Sequence, residues 1–391
     1  MIFLKCQGGG ADSAPGERKI LIDQSACAKP VAFKLKRYQE TKMAVRAGLV
    51  GVTGYTGMEL SRLAAVHPEI RLTCVTSRSD AGKAVSELYP FLQGFELGDL
   101  IISQPDPDEL AARCDLVFLA VPHGAAMEMA GALRSLGVTV VGPSADFRLR
   151  DAKTYTDWYA VEHNQPGCLS EAVYGLPELY AEQVKQASLV ANPGCYPTAS
   201  ILGLYPALKN GLVETSDIVI DAKSGTSGAG RKAAVGSLFC EVSDTFKAYG
   251  LPRHRHIPEI EQELSAVAGT AMTVSFNPHL LPINRGILAT IYTKLRKEFT
   301  ADDVHGIYEE TYAPHRFVRV LPEGRMPELR NVRGTMFCDV ALVPDQRTGR
   351  LIILSAIDNL CRGASGQALA NANLMSGLPL ETGLAAAPLV P

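Results

Sequence analysis

The residues best able to do chemistry lie in Ala-Asn-Pro-Gly-Cys-Tyr-Pro-Thr at 191–198, after the apolar run Ser188-Leu189-Val190 and ahead of the helical spacing Thr198, Ile201, Leu202, Tyr205. A thiol at a helix N-terminus faces unpaired backbone N–H groups and the positive end of the helix dipole, and both favour thiolate. Pro-Gly before Cys195 and Tyr-Pro after it point to a tight strand-to-helix turn, with Pro197 tolerated in the first helical turn. Cys195 is therefore expected to be an activated nucleophile. The competing reading is a core cysteine packing as a small hydrophobe.

A nucleophilic thiol needs a proton shuttle, and histidine titrates nearest to neutrality. The dense histidine segment is Pro252-Arg253-His254-Arg255-His256-Ile257-Pro258-Glu259-Ile260. His256 is the expected acid/base, with His254 as the alternate. Pro258 starts a helix carrying Glu259 and Glu263, and Glu259 is placed to fix the His256 ring. An exposed basic loop is the competing reading. His-x-His spacing offers no third ligand, so no metal is expected. The run 223–232, Lys-Ser-Gly-Thr-Ser-Gly-Ala-Gly-Arg-Lys, offers small residues, free amides and positive charge. It reads either as a cradle for an anionic or phosphorylated group or as a flexible glycine loop.

These groups must be positioned by a folded frame. Gly51-Val52-Thr53-Gly54-Tyr55-Thr56-Gly57 follows an apolar strand at 45–52 and opens a helix, the setting in which glycines let backbone approach a pyrophosphate at a helix N-terminus. The spacing is GxxGxxG rather than GxGxxG. The next strand, 70–76, runs into Ser77-Arg78-Ser79-Asp80, with Lys83 beyond. Ser77 and Arg78 suit a ribose 2′-phosphate, so NADP(H) is the expected cofactor, and Asp80 keeps NAD as the lesser option. After a strand at 115–121, Pro122 and His123 fall at the carboxyl edge where such sheets bind ligands. His123 is cofactor-lining or a structural contact. A helix at 125–136 and a strand at 138–141 continue the alternation.

Apolar strands alternating with helices predict an α/β chain with a Rossmann-type doubly wound parallel sheet. After Cys195 the pattern becomes β-rich, at 218–222, 272–276, 286–295, 334–343 and 351–355, with a hairpin loop at 344–349. That predicts an α+β catalytic domain with a mixed or antiparallel sheet. A closing helix is expected at 364–375 and a frayed tail at 379–391.

Composition narrows the class. At 391 residues, two domains are expected. An apolar fraction of 47% with 20% charged residues is ordinary for a globular enzyme, and a net charge of −3 gives no pull toward nucleic acid or an anionic membrane. No apolar run is long enough to span a bilayer. The 9 cysteines are odd in number and lack close repeated spacing, fitting neither a disulfide framework nor a zinc site. Mostly reduced thiols and a cytoplasmic location are expected. Residues 1–42 lack periodicity and read as a disordered or dispensable arm, with Met43 a second candidate start. Asp12, Glu17, Asp23 and Glu40 do not suit a transit peptide.

Taken in order, these motifs resemble the N-acetyl-γ-glutamyl-phosphate reductases, relatives of aspartate-semialdehyde dehydrogenase. The glycine turn through Met58-Glu59-Leu60, Ser144-Ala-Asp-Phe-Arg148-Leu, the Cys195 segment, the 224–231 loop, His254 to Ile260, Asn277-Pro-His-Leu and Gly363-Ala-Ser-Gly-Gln-Ala carry the resemblance over roughly 44–378. It implies NADPH-dependent conversion of N-acetyl-L-glutamyl 5-phosphate to the 5-semialdehyde, for arginine biosynthesis, through a Cys195 thioester. It further implies that Arg253 or Arg255 holds the substrate carboxylate and that Arg148 and the loop around Ser227 receive phosphate, with Asn192 and Glu259 in the same substrate site. Residues 43–190 plus 359–378 would form the NADP domain, and 191–358 the catalytic and oligomerisation domain of a dimer or tetramer. Partners would be the small-molecule substrate and phosphate. A cysteine acyltransferase or hydrolase would need no glycine turn. A carrier-linked substrate, or a non-enzymatic NADP sensor that does not need Cys195, are further alternatives. If Arg78 meets the 2′-phosphate, Arg78→Ala should raise KM for NADPH by about tenfold while leaving NADH nearly unchanged. Equal losses with both cofactors count against that role.

Overall fold

The computed structural model describes residues 44–297 and 299–390; the expectations for the arm at 1–42 lie outside them. Six short strands, β1 (Val45–Val50), β2 (Ile70–Thr76), β3 (Leu116–Leu119), β4 (Thr139–Gly142), β5 (Val173–Tyr174) and β6 (Leu189–Ala191), form one sheet in the order β2-β1-β3-β4-β6-β5. Every pairing in it is parallel. β3 is buried along its whole length, as required of a strand covered on both faces. The order reverses between β1 and its neighbours β2 and β3, and a crevice opens at such a switch point beyond the strand carboxyl ends.

The second sheet holds β7 (Ile218–Gly225), β8 (Lys247–Ala248), β9 (Val274–Leu281), β10 (Ile287–Lys294), β11 (Val318–Val320), β12 (Cys338–Asp345) and β13 (Arg350–Ile357), in the order β11-β12-β13-β10-β7-β9-β8. It is mixed, with β7/β9 and β11/β12 parallel and the other pairs antiparallel. β10 buries Ile287, Ala289, Ile291 and Thr293 in strict alternation. That apolar face packs against the helix Cys195–Lys209, which is buried almost all round and supplies Ile201, Leu202 and Leu204 to the shared core. The helix that starts at the candidate nucleophile is therefore a core element.

Three expectations need correction. β9 runs on through Asn277, Pro278 and His279, whose polar and proline character hid it; the Pro278 carbonyl accepts from the Tyr249 N–H at 3.1 Å. The segment expected as strand from 334 is a turn until Cys338, because the Gly334 N–H is taken by the Asp358 carboxylate at 2.7 Å. The stretch 379–391 does not fray throughout. The Thr382 carbonyl accepts from Asn373 Nδ2 at 2.9 Å and meets the His67 ring at 2.9 Å, and Leu384, 2% exposed, joins the core around Leu49 and Leu60. The closing helix, Gly366–Met375, enters that same core through Ala368, Leu369 and Ala372. Leu384→Ala should cost roughly 2–3 kcal/mol of stability. Denaturant unfolding that leaves the midpoint unchanged would show that the last turn does not contribute to the core.

Candidate active site

One cavity of about 1240 Å³ opens at the carboxyl edge of β1 and β3 and runs across to β7 and the His254–His256 segment. Its wall includes Thr53, Gly54, Tyr55, Thr56, Pro122, His123, Arg148, Cys195, Ser227, His254, Arg255 and His256. Most of the expected site residues thus share one space. Gly51, Gly57, Ser77, Arg78, Asn192, Arg253 and Glu259 are not part of this wall, and each has another place.

Cys195 is the first residue of its helix, with Gly194 in extended geometry before it. The N–H groups of Cys195 and Tyr196 point at the sulfur, as the helix-mouth argument requires. The expected resting thiolate is nevertheless corrected. Desolvation of the sulfur outweighs those N–H groups and Arg148, and the thiol is pushed up to about 11.

The residue holding this turn is Glu259. Its Oε1 accepts from the Gly194 N–H at 2.8 Å and from the Tyr174 hydroxyl at 2.8 Å, and its Oε2 faces Arg148 Nη1 at 3.3 Å. Glu259 therefore does not fix the His256 ring, because its oxygens are taken by the turn and Arg148. Arg148 in turn donates Nε to the Asn192 carbonyl and Nη2 to the Pro143 carbonyl, each at 2.7 Å. Asn192 is buried, bonded to the Ala364 carbonyl at 3.1 Å and to Asn371 at 3.1 Å, so it braces the turn from beneath and does not face the cavity.

His256 precedes the helix Ile257–Ala268 and lies against Gly194. A Cβ at 194 would sit 2.6 Å from His256 Nε2 and 3.0 Å from Arg148 Nη1, so only glycine allows this approach. Among the described residues, His256 Nδ1 is buried with no hydrogen-bond partner. Desolvation, His254 and Arg148 hold the ring well below the ordinary histidine value, which makes it a neutral base. His254 turns its Nδ1 to the His256 N–H at 3.2 Å and is pushed down to about 4 by desolvation and Arg255. Among the described residues no hydrogen bond links the Cys195 thiol to either ring. His123 accepts from the Ala145 N–H at 3.2 Å and is likewise pushed down to about 4, by burial, then Arg148 and Arg255.

The glycine turn divides its tasks. Gly51 has φ +92°, and a Cβ there would meet the Ala120 carbonyl oxygen at 2.3 Å; one at Gly57 would meet the Gly51 oxygen at 2.4 Å. These two pack strand against helix. Gly54 instead faces open cavity, with nothing nearer its Cβ position than the Gly51 oxygen at 4.0 Å, and the first turn of Tyr55–Ala64 holds no acidic residue. This end of the cavity fits a pyrophosphate. On the second strand's loop, Ser77 Oγ is engaged with the Ser79 and Asp80 N–H groups and Arg78 is exposed. Asp80, paired with Lys83 at 2.7 Å, is the residue of that loop in the wall.

Arg253 leans away over the Trp158 ring at 5.1 Å and donates to the Asp157 carbonyl, whereas Arg255, over Tyr159 at 5.8 Å, lines the cavity. Ser227 accepts from Asn359 Nδ2 at 3.0 Å. The residues that sequence reasoning missed in the wall include Tyr159, Lys247, Tyr249 and Asn359. Tyr249 bonds the Tyr196 hydroxyl at 3.0 Å. Only the Gly363 motif near Asn359 gave a signal. Tyr159, Lys247 and Tyr249 sit in segments without a recognisable motif.

Residues 46–187 match the family model described as semialdehyde dehydrogenase, NAD binding domain, and residues 195–359 the one described as semialdehyde dehydrogenase, dimerisation domain. An N-acetyl-gamma-glutamyl-phosphate reductase of Desulfotalea psychrophila is 52% identical over 348 residues, 89% of this chain and 100% of that protein. One of Geobacter sulfurreducens is 51% identical over the same shares. The chain belongs to the N-acetyl-gamma-glutamyl-phosphate reductase family. Members of this family share their fold more widely. A Vibrio cholerae aspartate semialdehyde dehydrogenase II, solved with ASA, aligns with a TM-score of 0.66 at 14% identity over 86% of this chain and 99% of that one. A Candida albicans aspartate semialdehyde dehydrogenase, solved with NADP, gives 0.63 at 16% over 85% and 98%.

Histidines held below their ordinary value near 6.5 bind fewer protons folded than unfolded, so stability present above that pH is lost as pH falls toward about 4. His254→Gln should flatten this loss between pH 6.5 and 4 in denaturant titrations. An unchanged slope would show that His254 is not one of the groups responsible.

Proposed function

We propose that the chain catalyses NADPH-dependent reductive dephosphorylation of N-acetyl-L-glutamyl 5-phosphate to N-acetyl-L-glutamate 5-semialdehyde, in arginine biosynthesis. The observation that carries this reading is the single cavity joining the glycine turn to Cys195 and His256. Among the described lining residues the wall also sets Arg148, Arg231, Lys232, Lys247 and Arg255 against one carboxylate, Asp80, a balance suited to an acyl phosphate that also bears a carboxylate.

The Cys195 sulfur attacks the acyl carbon, the C–S bond forms, the C–O bond to phosphate breaks, and phosphate leaves toward Ser227 and the 224–231 loop. The neutral His256 imidazole takes the thiol proton during attack, so no standing thiolate is needed. N–H groups at the helix mouth stabilise the developing oxyanion. Arg255, which faces the cavity, holds the substrate carboxylate in preference to Arg253. When bound, a nicotinamide would supply hydride to the acyl carbon, with Gly54, Tyr55 and Thr56 placed to hold its pyrophosphate and Arg78 its 2′-phosphate. As the aldehyde leaves, His256 returns the proton to sulfur.

We further propose residues 43–190 with 359–378 as the NADP domain and 191–358 as the catalytic domain. The family description of the latter region supports a homo-oligomer, dimer or tetramer. A cytoplasmic location accords with the described residues having no helix long and apolar enough to cross a membrane.

The test follows NADPH formation from N-acetylglutamate semialdehyde, phosphate and NADP. Cys195→Ser should lower kcat by about 1000-fold or more and His256→Asn by about 100-fold, His254→Asn less. Equal activity of wild type and Cys195→Ser would sink the thioester mechanism, and turnover without nicotinamide would favour a hydrolase.

A further inference from the structure

Between β13 and the helix Gly366–Met375 the chain crosses from the mixed sheet to the parallel one over 358–366, and this crossover touches the start of the Cys195 helix, the loop after β7 and the glycine-turn helix. Gly363 lies on the nucleophile, where a Cβ would fall 2.6 Å from Cys195 Cβ and 3.0 Å from its Cα. Asn359 Nδ2 donates to Ser227 Oγ at 3.0 Å while its Oδ1 accepts from the Gly286 N–H at 2.7 Å. Ser365 Oγ donates to the Thr56 carbonyl, in the glycine-turn helix, at 2.8 Å.

The backbone path is unusual. Cys361–Ser365 is a π-turn, in which the Gly363 N–H reaches the Asp358 carbonyl at 2.9 Å and the Ser365 N–H the Leu360 carbonyl at 2.7 Å. It is anchored away from the cavity by three ion pairs around Asp358 and Arg362. Asp358 meets Arg285 at 3.1 Å, and Arg285 also meets Glu59 at 2.7 Å. Arg362 meets Glu178 at 2.6 Å, both almost fully buried, yet among the described residues Arg362 Nε and Nη1 and Glu178 Oε2 find no partner. An undersatisfied buried ion pair is costly, and a π-turn is rare. What this path secures is the close seat of Gly363 on Cys195.

We infer that Gly363, presented by the π-turn, is a positioning residue for Cys195: its bare Cα is the stop that sets the nucleophile's backbone, and Asn359 and Ser365 register that stop against Ser227 and Thr56. Glu259 holds the Cys195 turn through Gly194, and Gly363 closes the clamp from the other side. The kinetic part of this inference rests on the proposed reaction, but its geometric part does not.

In the full chain, Gly363→Ala should lower kcat by about 100-fold while KM for NADPH moves by less than about threefold, since a small displacement of a reacting atom mainly affects rate. Iodoacetamide labelling of Cys195, read by mass on the peptide holding residue 195, needs no substrate. Its pH midpoint should shift, because displacing the sulfur changes both its distance from the helix-mouth N–H groups and the burial that dominates its ionisation. Because the clash is with Cys195 Cβ, Gly363→Ala should lower Tm less in a Cys195→Gly background than in the wild type. Wild-type kcat, an unmoved labelling midpoint, or equal Tm losses in the two backgrounds each overturns the inference. If the wild-type protein does not turn over the acyl phosphate, the proposed reaction fails, while labelling and Tm still decide the role of Gly363. If Gly363→Ala does not fold, Ser365→Ala, which removes only the bond to Thr56, should lower kcat by about fivefold and shift the labelling midpoint; wild-type values of both overturn the inference.

Discussion

The Glu259 carboxylate, shared between the Gly194 N–H, the Tyr174 hydroxyl and Arg148, is the interaction on which the site depends. It ties the start of the Cys195 helix to the helix after His256 and to β5. Arg148 extends the tie to the carbonyls of Asn192 and Pro143. Burial pushes the Glu259 carboxyl up, against the pull of Arg148 and the Gly194 N–H. Both partners have further hydrogen bonds, the condition under which a buried ion pair can persist. Removing either one would strand the other in the interior, so the geometry of the strand-to-helix turn is a property of the pair.

The two sheets meet the cavity in different ways. The parallel sheet offers loop backbone at its switch point, where Gly54 leaves room and Gly51 and Gly57 allow the close packing that makes the room. The mixed sheet offers side chains from β7, β8 and the loop after β7. A strap joins them: Arg231 donates to the Thr53 carbonyl at 3.0 Å and lies over the Tyr89 ring at 5.7 Å. The loop read as an anion cradle is thereby attached to the cofactor turn.

Much of this was legible before any coordinates. Continuous apolar strands and a glycine turn between strand and helix report local periodicity and local backbone geometry, and β1, β2 and the helix after the turn appear where those patterns put them. β9 was misplaced because Asn277, Pro278 and His279 break the alternation that marks a strand, although the ladder to β7 accommodates them. In the site, residue types showed that Cys195 and a histidine could act together. They did not show what each group gives up to be there. Glu259 three residues beyond His256 looked like its partner by spacing, but helix geometry aims it at Gly194. Arg253 and Arg255 were equivalent in sequence and are separated by which aromatic ring each one covers. The ionisation of Cys195 depends on how much water the fold removes, a quantity that no local motif encodes.

Cysteine reacts with peroxides and with other disulfides as the thiolate, and the same ionised form is the entry to irreversible oxidation. Burial pushes the Cys195 thiol up, which favours its protonated form at neutral pH. Under the proposed mechanism, Cys195 would therefore stay quiet toward adventitious oxidants in the free enzyme, its attack waiting on a substrate's electrophilic carbon and on His256 to accept the proton.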